Sequence, residues 1–294
     1  MPGPTSFAVI VGAMKCGTTT LFNELAALPE VCGSVPKEPM YFSRPGWDDG
    51  LSRYQALWPD YDPAIHRLAL EGSTEYAKYP DFPNVAERIA AFEAEHGLSF
   101  RFIYIVRDPI ELIRSGLAHG QNAGWFDGDR ERLFRHLVQV ADFEQQTTFY
   151  RETFGPDRLH IMQLEALTAD KTATLARLCA FLEIDPPSPF EIGGTASRLN
   201  SAEQRKADLD AAAGAEHLDR LRALKGIYGK VVPREMREQL RPTLQRMAGR
   251  VLRRPEPQWR ISDAEQVALR NALAEPVAQF ADRYHLDRSG WTPL

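Results

Sequence analysis

With 294 residues, a hydrophobic fraction of 44% and a formal net charge of -5, the chain can bury a large core, but it lacks the broad basic face of a nucleic-acid-binding protein. No apolar run reaches the roughly 18 residues of a membrane span, and the first residues lack the pattern of a secretion signal. The 3 cysteines have no metal-type spacing, which indicates reduced thiols in a cytoplasmic protein. The abundance of Ala, Arg and Asp favours a bacterial source.

Apolar stretches of strand length recur through the first part of the chain. Their hydrophobicity is continuous rather than alternating, which is typical of strands that are covered on both faces. Helical patterns lie between them, so the sequence predicts a parallel sheet with right-handed crossovers. The predicted strands are residues 6–11, 66–72, 100–106 and 158–164.

The predicted helices follow the same order along the chain. Leu21, Phe22, Leu25 and Leu28 share one helical face, and further helices are predicted at residues 84–97, 130–153 and 168–181. A polar, glycine-containing loop at residues 191–206 precedes a mainly helical remainder. The sequence therefore predicts one domain, residues 1–294, with an α/β core over about 1–190 and a helical C-terminal portion over about 191–294.

The loop GAMKCGTTT, residues 12–20, follows the first strand. Gly12 and Gly17 have the spacing of a nucleotide-triphosphate loop, but Thr18 stands where that loop has its lysine, and Lys15 lies inside the loop. Backbone N–H groups and the helix dipole converge there, which favours anion binding. The alternative is a tight turn with a threonine cap and no ligand. The predicted phosphate contacts are Lys15, Cys16, Gly17, Thr18, Thr19 and Thr20.

A second candidate anchor is Arg107 at the end of the third predicted strand, with Ser115 on the next helix. An arginine at a strand's carboxyl end is well placed for a ligand in the crevice above the sheet. Two alternatives remain open from the residues alone. Arg107 and Asp108 can form a solvated pair that caps a helix at Pro109, or Asp108 can be the magnesium-holding aspartate of an NTPase.

These two motifs together resemble those of sulfotransferases that use 3′-phosphoadenosine 5′-phosphosulfate (PAPS). VGAMKCGTTTL resembles the family's 5′-phosphosulfate loop, and R-D-P with the later serine resembles its 3′-phosphate motif. The resemblance implies a P-loop-like three-layer sandwich with a central parallel sheet. It further implies that Lys15 stabilises the leaving phosphate and that Arg107 and Ser115 hold the 3′-phosphate. The leaving group is then 3′-phosphoadenosine 5′-phosphate (PAP), and the resemblance implies that it leaves without help from a metal.

Other segments extend the resemblance. EGSTEY, residues 71–76, resembles the family's G-E-x-S-x-x-Y segment, residues 154–167 and 175–184 resemble its fourth strand and next helix, and SGWTPL resembles its closing tryptophan segment. Leu112 and Gly116 depart from the arginine and histidine that family members often carry. This departure leaves the subfamily and the acceptor class open.

PKEPMYF, residues 36–42, resembles the K-E-x-x-[YF]-F segment of bacterial and heparan-sulfate-type members, which implies that Glu38 is the catalytic base. The alternative is a pair of surface charges followed by two packing aromatics. His66, His96 and His119 compete for the role of base, and His119 is brought near the crevice by its helical spacing from Ser115. The predicted acceptor contacts are Lys37, Tyr41, Phe42, Glu71 and His119.

Arg198 and Lys206 lie in the loop where this family commonly folds a flap over the nucleotide, which implies two further 3′-phosphate contacts; a solvated loop is the alternative. LKGIYGK, residues 224–230, is a second such candidate.

The predicted function is metal-independent transfer of a sulfuryl group from PAPS to the hydroxyl or amine of a small-molecule, carbohydrate or lipid acceptor. A P-loop kinase or NTPase and a non-catalytic nucleotide-binding protein are the alternatives. Aromatic candidates for an acceptor site are Tyr41, Phe42, Trp47, Tyr54, Trp58, Trp125 and Phe126.

Overall fold

Five parallel strands form the centre of the structure, a computed structural model that describes residues 2–186 and 261–294. Their order across the sheet is β2-β3-β1-β4-β5. The four predicted strands are present, and β2 is an additional edge strand of only three residues. The strands are β1 (Ser6–Gly12), β2 (Val31–Gly33), β3 (Leu68–Glu71), β4 (Ser99–Val106) and β5 (Leu159–Gln163).

Helices flank this sheet: α1 packs on β1, β2 and β3, and α6 packs on β4 and β5. The predicted α/β fold with a central parallel sheet is therefore confirmed. The helices are α1 (Thr18–Ala26), α2 (Leu51–Gln55), α3 (Val85–His96), α4 (Pro109–Asn122), α5 (Arg130–Ala141), α6 (Phe143–Phe154), α7 (Leu164–Ala169), α8 (Lys171–Leu182) and the C-terminal helix (Asp263–Arg283). Short 3₁₀ turns occur at Tyr41–Ser43, Thr74–Ala77, Trp125–Gly128 and Pro156–Arg158.

Two of the predicted helices are each divided in the structure by an aspartate. The Asp142 carboxylate accepts a hydrogen bond from the Gln145 amide at 3.0 Å and starts α6, and the Asp170 carboxylate accepts one from the Ala173 amide at 3.0 Å and starts α8. An aspartate side chain that binds a first-turn amide stabilises a new helix start more than it stabilises a continuous helix. The apolar periodicity carries across both breaks, so it does not reveal them.

An aromatic cluster fills the core beside β1 and β4. The ring of Phe7 lies 4.9 Å from Phe100 and 5.1 Å from Tyr54, and the ring of Tyr54 lies 5.1 Å from Phe42. Such contacts add to the stabilisation from burying the rings themselves. Four of the seven aromatic candidates for an acceptor site are buried here or at its edge, and only Trp47, Trp125 and Phe126 keep exposed surface. The four buried candidates are Tyr41, Phe42, Tyr54 and Trp58.

The C-terminal segment returns to the carboxyl ends of β4 and β5. Gln163 donates to the carbonyl of Asp287 at 2.8 Å and accepts from its amide at 3.1 Å, and Trp291 is buried. Within the C-terminal portion that was predicted to be mainly helical, the structure describes one helix, Asp263–Arg283. Residues 187–260 lie outside the described part. Among the described helices, none is long and apolar enough to cross a membrane.

Candidate active site

The loop between β1 and α1 is fixed by backbone contacts. The Ala13 amide donates to the carbonyl of Ile105 at 2.8 Å, which ties the loop to the end of β4. Gly12 touches the Tyr104 ring so closely that a Cβ there would lie 2.5 Å from a ring carbon. Gly17 has a φ of 88°, a conformation that favours glycine. Both glycines of the predicted motif are therefore required by the geometry of the loop.

The N-terminus of α1 opens at this loop. Gly17 is the residue before the helix, and no side chain caps the first turn. The first-turn amides belong to Thr18, Thr19 and Thr20, and the positive end of the helix dipole lies with them. Uncapped amides at a helix start are suited to an anion, so the predicted phosphate contact of these residues is physically available.

Cys16 requires a correction. Its side chain is fully buried, and its amide already donates to the carbonyl of Ala13 at 3.2 Å within the loop. Burial raises the pKa of the Cys16 thiol far above its ordinary value, so the thiol stays neutral. Cys16 supports the loop from below, and neither its thiol nor its amide is left for the phosphate contact that we predicted.

Arg107 brings the second motif into direct contact with the first. Its guanidinium donates to the backbone carbonyl of Lys15 at 3.2 Å and lies 3.6 Å from the carboxylate of Glu111. Ser115 lies two turns along α4 and is half-buried. The two predicted anchors thus meet at the carboxyl ends of neighbouring strands, which is the edge where parallel sheets bind ligands.

The carboxylate of Asp108 is used entirely by protein groups. One oxygen accepts from the amides of Ile110 at 2.8 Å and Glu111 at 3.4 Å, and the other accepts from the amide and hydroxyl of Thr292 at 2.8 and 2.6 Å. Only 6% of Asp108 is exposed. Asp108 therefore starts α4 and holds the C-terminal segment, and it has no oxygen directed to a nucleotide-bound metal.

Lys37 and Glu38 lie beside the loop. The ammonium of Lys37 donates to Glu38 Oε1 at 2.7 Å and approaches the carbonyl of Gly72 at 3.5 Å, just past the end of β3. Glu38 Oε2 accepts from the Thr74 hydroxyl at 3.5 Å. The side chain of Glu38 is 30% exposed. Because β3 neighbours β1, the predicted base lies at the same edge of the sheet as the loop.

Glu71 also requires a correction, because its carboxylate is fully buried. Tyr54 donates to Oε1 at 2.8 Å, Tyr76 approaches the same oxygen at 3.4 Å, and Ser73 donates to Oε2 at 2.7 Å. Burial raises the pKa of Glu71 to about 7, although the three hydroxyl donors favour its charged form. Glu71 therefore has no surface for the acceptor contact that we predicted.

The Glu71 network instead supports the segment that carries Glu38. Ser73 accepts a hydrogen bond from the Met40 amide at 2.9 Å, and Tyr76 accepts one from the Phe42 amide at 3.1 Å. Phe42 is fully buried and Tyr41 is 8% exposed, so their rings anchor the segment rather than contact an acceptor. The predicted role of Tyr41 and Phe42 is corrected in the same way.

The three histidines fall into two groups. His66 lies just before β3, and His96 lies at the end of α3 just before β4, so both are at the amino edge of the sheet, away from the loop. His119 lies on α4 on the site's side, with its ring 5.0 Å from that of Trp125 in an edge-on contact. Only His119 remains a candidate contact for an acceptor.

Lys78 lies near the candidate site and was not among the residues that the sequence predicted. It follows the 3₁₀ turn Thr74–Ala77, and its ammonium lies 5.8 Å from the centre of the Trp125 ring. Burial lowers the pKa of Lys78, while the nearby carboxylates of Glu75 and Glu38 raise it. No motif contains this lysine, and only its position two residues after EGSTEY is a sequence signal.

Close helix packing explains why two family positions differ here. Leu112 is fully buried, and a Cβ on Gly116 would lie 2.2 Å from Leu137 on α5. A side chain at Gly116 would therefore require the buried Leu137 side chain to shift. The predicted contacts Arg198 and Lys206, and the candidate loop at residues 224–230, lie outside the described residues.

Known proteins resemble this chain in sequence and in structure. Residues 99–188 match a model described as the sulfotransferase family. A crystal structure of a sulfotransferase from Alicyclobacillus acidocaldarius aligns over 99% of this chain and 99% of its own, with 17% identity and a TM-score of 0.60. No curated protein sequence matches the chain.

Two sulfotransferase domains give weaker structural alignments. The domain from the curacin biosynthetic pathway is 19% identical and covers 65% of this chain and 77% of its own, with a TM-score of 0.45. The domain from the Synechococcus PCC 7002 olefin synthase is 17% identical and covers 64% and 76%, with a TM-score of 0.45. The family match itself includes β4, Arg107 directly after that strand, and Ser115 on α4.

Proposed function

We propose that the chain transfers a sulfuryl group from PAPS to the hydroxyl or amine of a small acceptor, because residues 99–188 match the sulfotransferase family model and the chain has the fold of a sulfotransferase. The observation that carries this proposal is the 3.2 Å hydrogen bond from Arg107 to the Lys15 carbonyl. A donor with a phosphate at both ends of its ribose needs two anion sites at a short distance, and this contact supports that arrangement.

The residues of the loop hold and neutralise the 5′-phosphosulfate. Lys15 adds a positive charge next to the first-turn amides of α1, where negative charge accumulates on the bridging oxygen as the sulfur–oxygen bond breaks. Arg107 and Ser115 bind the 3′-phosphate. These fixed groups compensate charge without a metal ion in this scheme.

Glu38 receives the acceptor's proton. The acceptor oxygen forms a bond to sulfur while the bond from sulfur to the bridging oxygen breaks, and that bond's electron pair leaves on the phosphate of PAP. The proton of the acceptor hydroxyl passes to the carboxylate of Glu38, whose 30% exposure allows the contact. Lys37 holds this carboxylate in place at 2.7 Å.

The alternatives have less support. Thr18 replaces the lysine that a nucleotide triphosphate requires, and Asp108 is occupied by Thr292 and the start of α4, which leaves a kinase or NTPase without its usual phosphate and metal contacts. A non-catalytic nucleotide-binding protein does not need a held, partly exposed Glu38. All three cysteines are unpaired and buried, which supports the proposed cytoplasmic location.

Calorimetric titration with PAP and with Mg-ATP tests the donor site in the full chain. We expect metal-independent binding of PAP, weakened about tenfold to a hundredfold by Arg107→Ala and weakened by Lys15→Ala. Arg101→Ala is a matched control, because Arg101 is a similarly exposed arginine of β4 at the opposite edge of the sheet. A preference for Mg-ATP, or equal loss of binding in the control, contradicts the proposal.

A further inference from the structure

Lys78 is a half-buried cation for which the described residues provide no hydrogen bond or ion pair. Its ammonium instead contacts the face of the Trp125 ring and lies 5.8 Å from the centre of that ring. Removing an ammonium from water is costly unless an anion or hydrogen-bond acceptor replaces the water. The lowered pKa of Lys78, which results mainly from burial, is consistent with such a cost.

The carboxylates around Lys78 are already engaged by other groups. Glu75 accepts from Arg44 at 2.8 Å on one oxygen and from the Ser43 hydroxyl at 2.9 Å on the other. Asp81 is hydrogen-bonded to His136 at 2.6 Å. Glu38 is the third carboxylate whose charge raises the pKa of Lys78, and its Oε1 accepts a hydrogen bond from Lys37. Within the described part of the chain, none of these three carboxylates is hydrogen-bonded to Lys78.

Lys78 and the proposed base Glu38 lie at opposite ends of the 3₁₀ turn Thr74–Ala77. Glu38 Oε2 contacts Thr74, the first residue of the 3₁₀ turn, and Lys78 directly follows its last residue. At about 2 Å of rise per residue, the two ends of this turn are on the order of 8 Å apart. One small acceptor can therefore extend from Glu38 to Lys78 along this turn.

A cavity of about 380 Å³ lies near this turn, since two of its lining residues, Ser43 and Arg44, are hydrogen-bonded to Glu75 of the turn. Its aromatic walls are Trp47 and Phe82, and each ring carries an arginine on its face, Arg88 at 5.9 Å and Arg44 at 5.8 Å. Asp81 also lines this cavity, and its charge raises the pKa of Lys78. Cavities of this size with apolar walls and a few charged groups are suited to small organic ligands.

We propose that the acceptor of this enzyme is a hydroxyl compound with an anionic group at the end away from the reacting oxygen, that Lys78 binds this group, and that the cavity receives the rest of the acceptor. This inference rests on the proposed function, since it places the reacting hydroxyl at Glu38. It goes further by giving the chemical class of the acceptor.

A pair of probes that are matched in shape and differ in charge tests the inference on the full chain saturated with PAP. The probes are 4-hydroxyphenylacetate and its neutral amide, which share a skeleton of suitable length and differ in charge. Calorimetry should show that the acid binds at least about tenfold more tightly than the amide, the usual effect of one charge-assisted hydrogen bond. Lys78→Met, which keeps the stem against Trp125, should remove this preference, and Lys78→Arg should retain it.

Lys171→Met is the control, because Lys171 is a half-buried lysine that pairs with Glu24, away from the turn. It should leave the preference for the acid unchanged. Equal binding of both probes, including no binding of either, overturns the anionic site, as does a preference that survives Lys78→Met in a protein that unfolds at the same temperature as the wild type. Failure to bind PAP would instead contradict the proposed function.

Discussion

The proposed donor side and the proposed acceptor side of the site are built in different ways. On the donor side, the loop, the start of α1 and Arg107 present mainly backbone groups, whose placement follows from Gly12, Gly17 and two neighbouring strands. On the acceptor side, side chains from three separate segments meet at the 3₁₀ turn Thr74–Ala77. Backbone sites are defined by local sequence, whereas side-chain sites depend on how distant segments pack.

The largest expected effect lies on the acceptor side. Glu38→Gln removes the proton acceptor but keeps the size of the side chain, so kcat should fall by about 10²- to 10⁴-fold. Binding of PAP should be unchanged, because the donor groups are on other elements. Steady-state kinetics and PAP calorimetry measure the two quantities.

Glu30→Gln is the control for this change, because Glu30 is a partly buried glutamate that pairs with Arg67 in the same way that Glu38 pairs with Lys37. It should leave kcat near the wild-type value. If Glu38→Gln weakens PAP binding as much as it lowers kcat, the two sides of the site are not separate and the comparison fails.

The next effect is on stability, through the support beneath Glu38. The pKa of Glu71 is raised by burial from 4.5 to about 7. Between these values the unfolded chain has lost the proton while the folded protein still holds it, so the free energy of unfolding falls as pH rises through this window and levels off above it. Relative to Glu71→Gln, which cannot titrate, the wild type should lose roughly 3 kcal/mol across the window.

Urea unfolding of both proteins at several pH values measures this difference. Tyr54→Phe sharpens it, because Tyr54 donates to the charged carboxylate at 2.8 Å and its removal should move the upper end of the window to higher pH. A difference between wild type and Glu71→Gln that stays constant from pH 4.5 to 7 would show that Glu71 does not titrate as its burial implies.

The same contrast explains what the sequence predicted and what it did not. Lys15 and Arg107 could be proposed because each lies at a fixed distance from a glycine or a strand end, and the strands could be predicted from continuous hydrophobicity. β2 was missed because three residues are too few to form a pattern. The breaks at Asp142 and Asp170 were missed because the apolar period continues across them.

The roles of buried polar residues were the least predictable. Glu71 lies in a recognisable motif, but its environment is created by Tyr54, Ser73 and Tyr76, and only the fold brings Tyr54 there. Lys78 belongs to no motif, and its exposure depends on Trp125 of a distant segment. For such residues the sequence shows which ionisable group is present, but not which side chains surround it in the folded protein.

On the donor side, Arg107→Lys should weaken PAP binding by about tenfold. Lysine keeps the charge, but it cannot reach the Lys15 carbonyl and a phosphate with two parallel donors as a guanidinium can. Calorimetry measures the loss, and Arg101→Lys is the control at the other end of β4. Equal affinity of the wild type and Arg107→Lys would mean that the site requires only a point charge.

The smallest effect concerns the C-terminal segment that closes the donor side. In Asp108→Asn, the side-chain oxygen of the asparagine can still cap α4, because asparagine is nearly as good a cap as aspartate. The amide nitrogen, however, would face the donors of Thr292, which now bind at 2.8 and 2.6 Å. The free energy of unfolding should therefore fall by about 1–2 kcal/mol.

A double-mutant cycle with Thr292→Val separates this contact from the cap. If the hydroxyl of Thr292 interacts with Asp108, the two changes together should cost less than their sum, with a coupling of about 1 kcal/mol in urea unfolding. Additive losses would mean that Asp108 acts only through α4. The C-terminal segment would then be held by Gln163 and buried Trp291, and the donor side would depend on β4 and the loop alone.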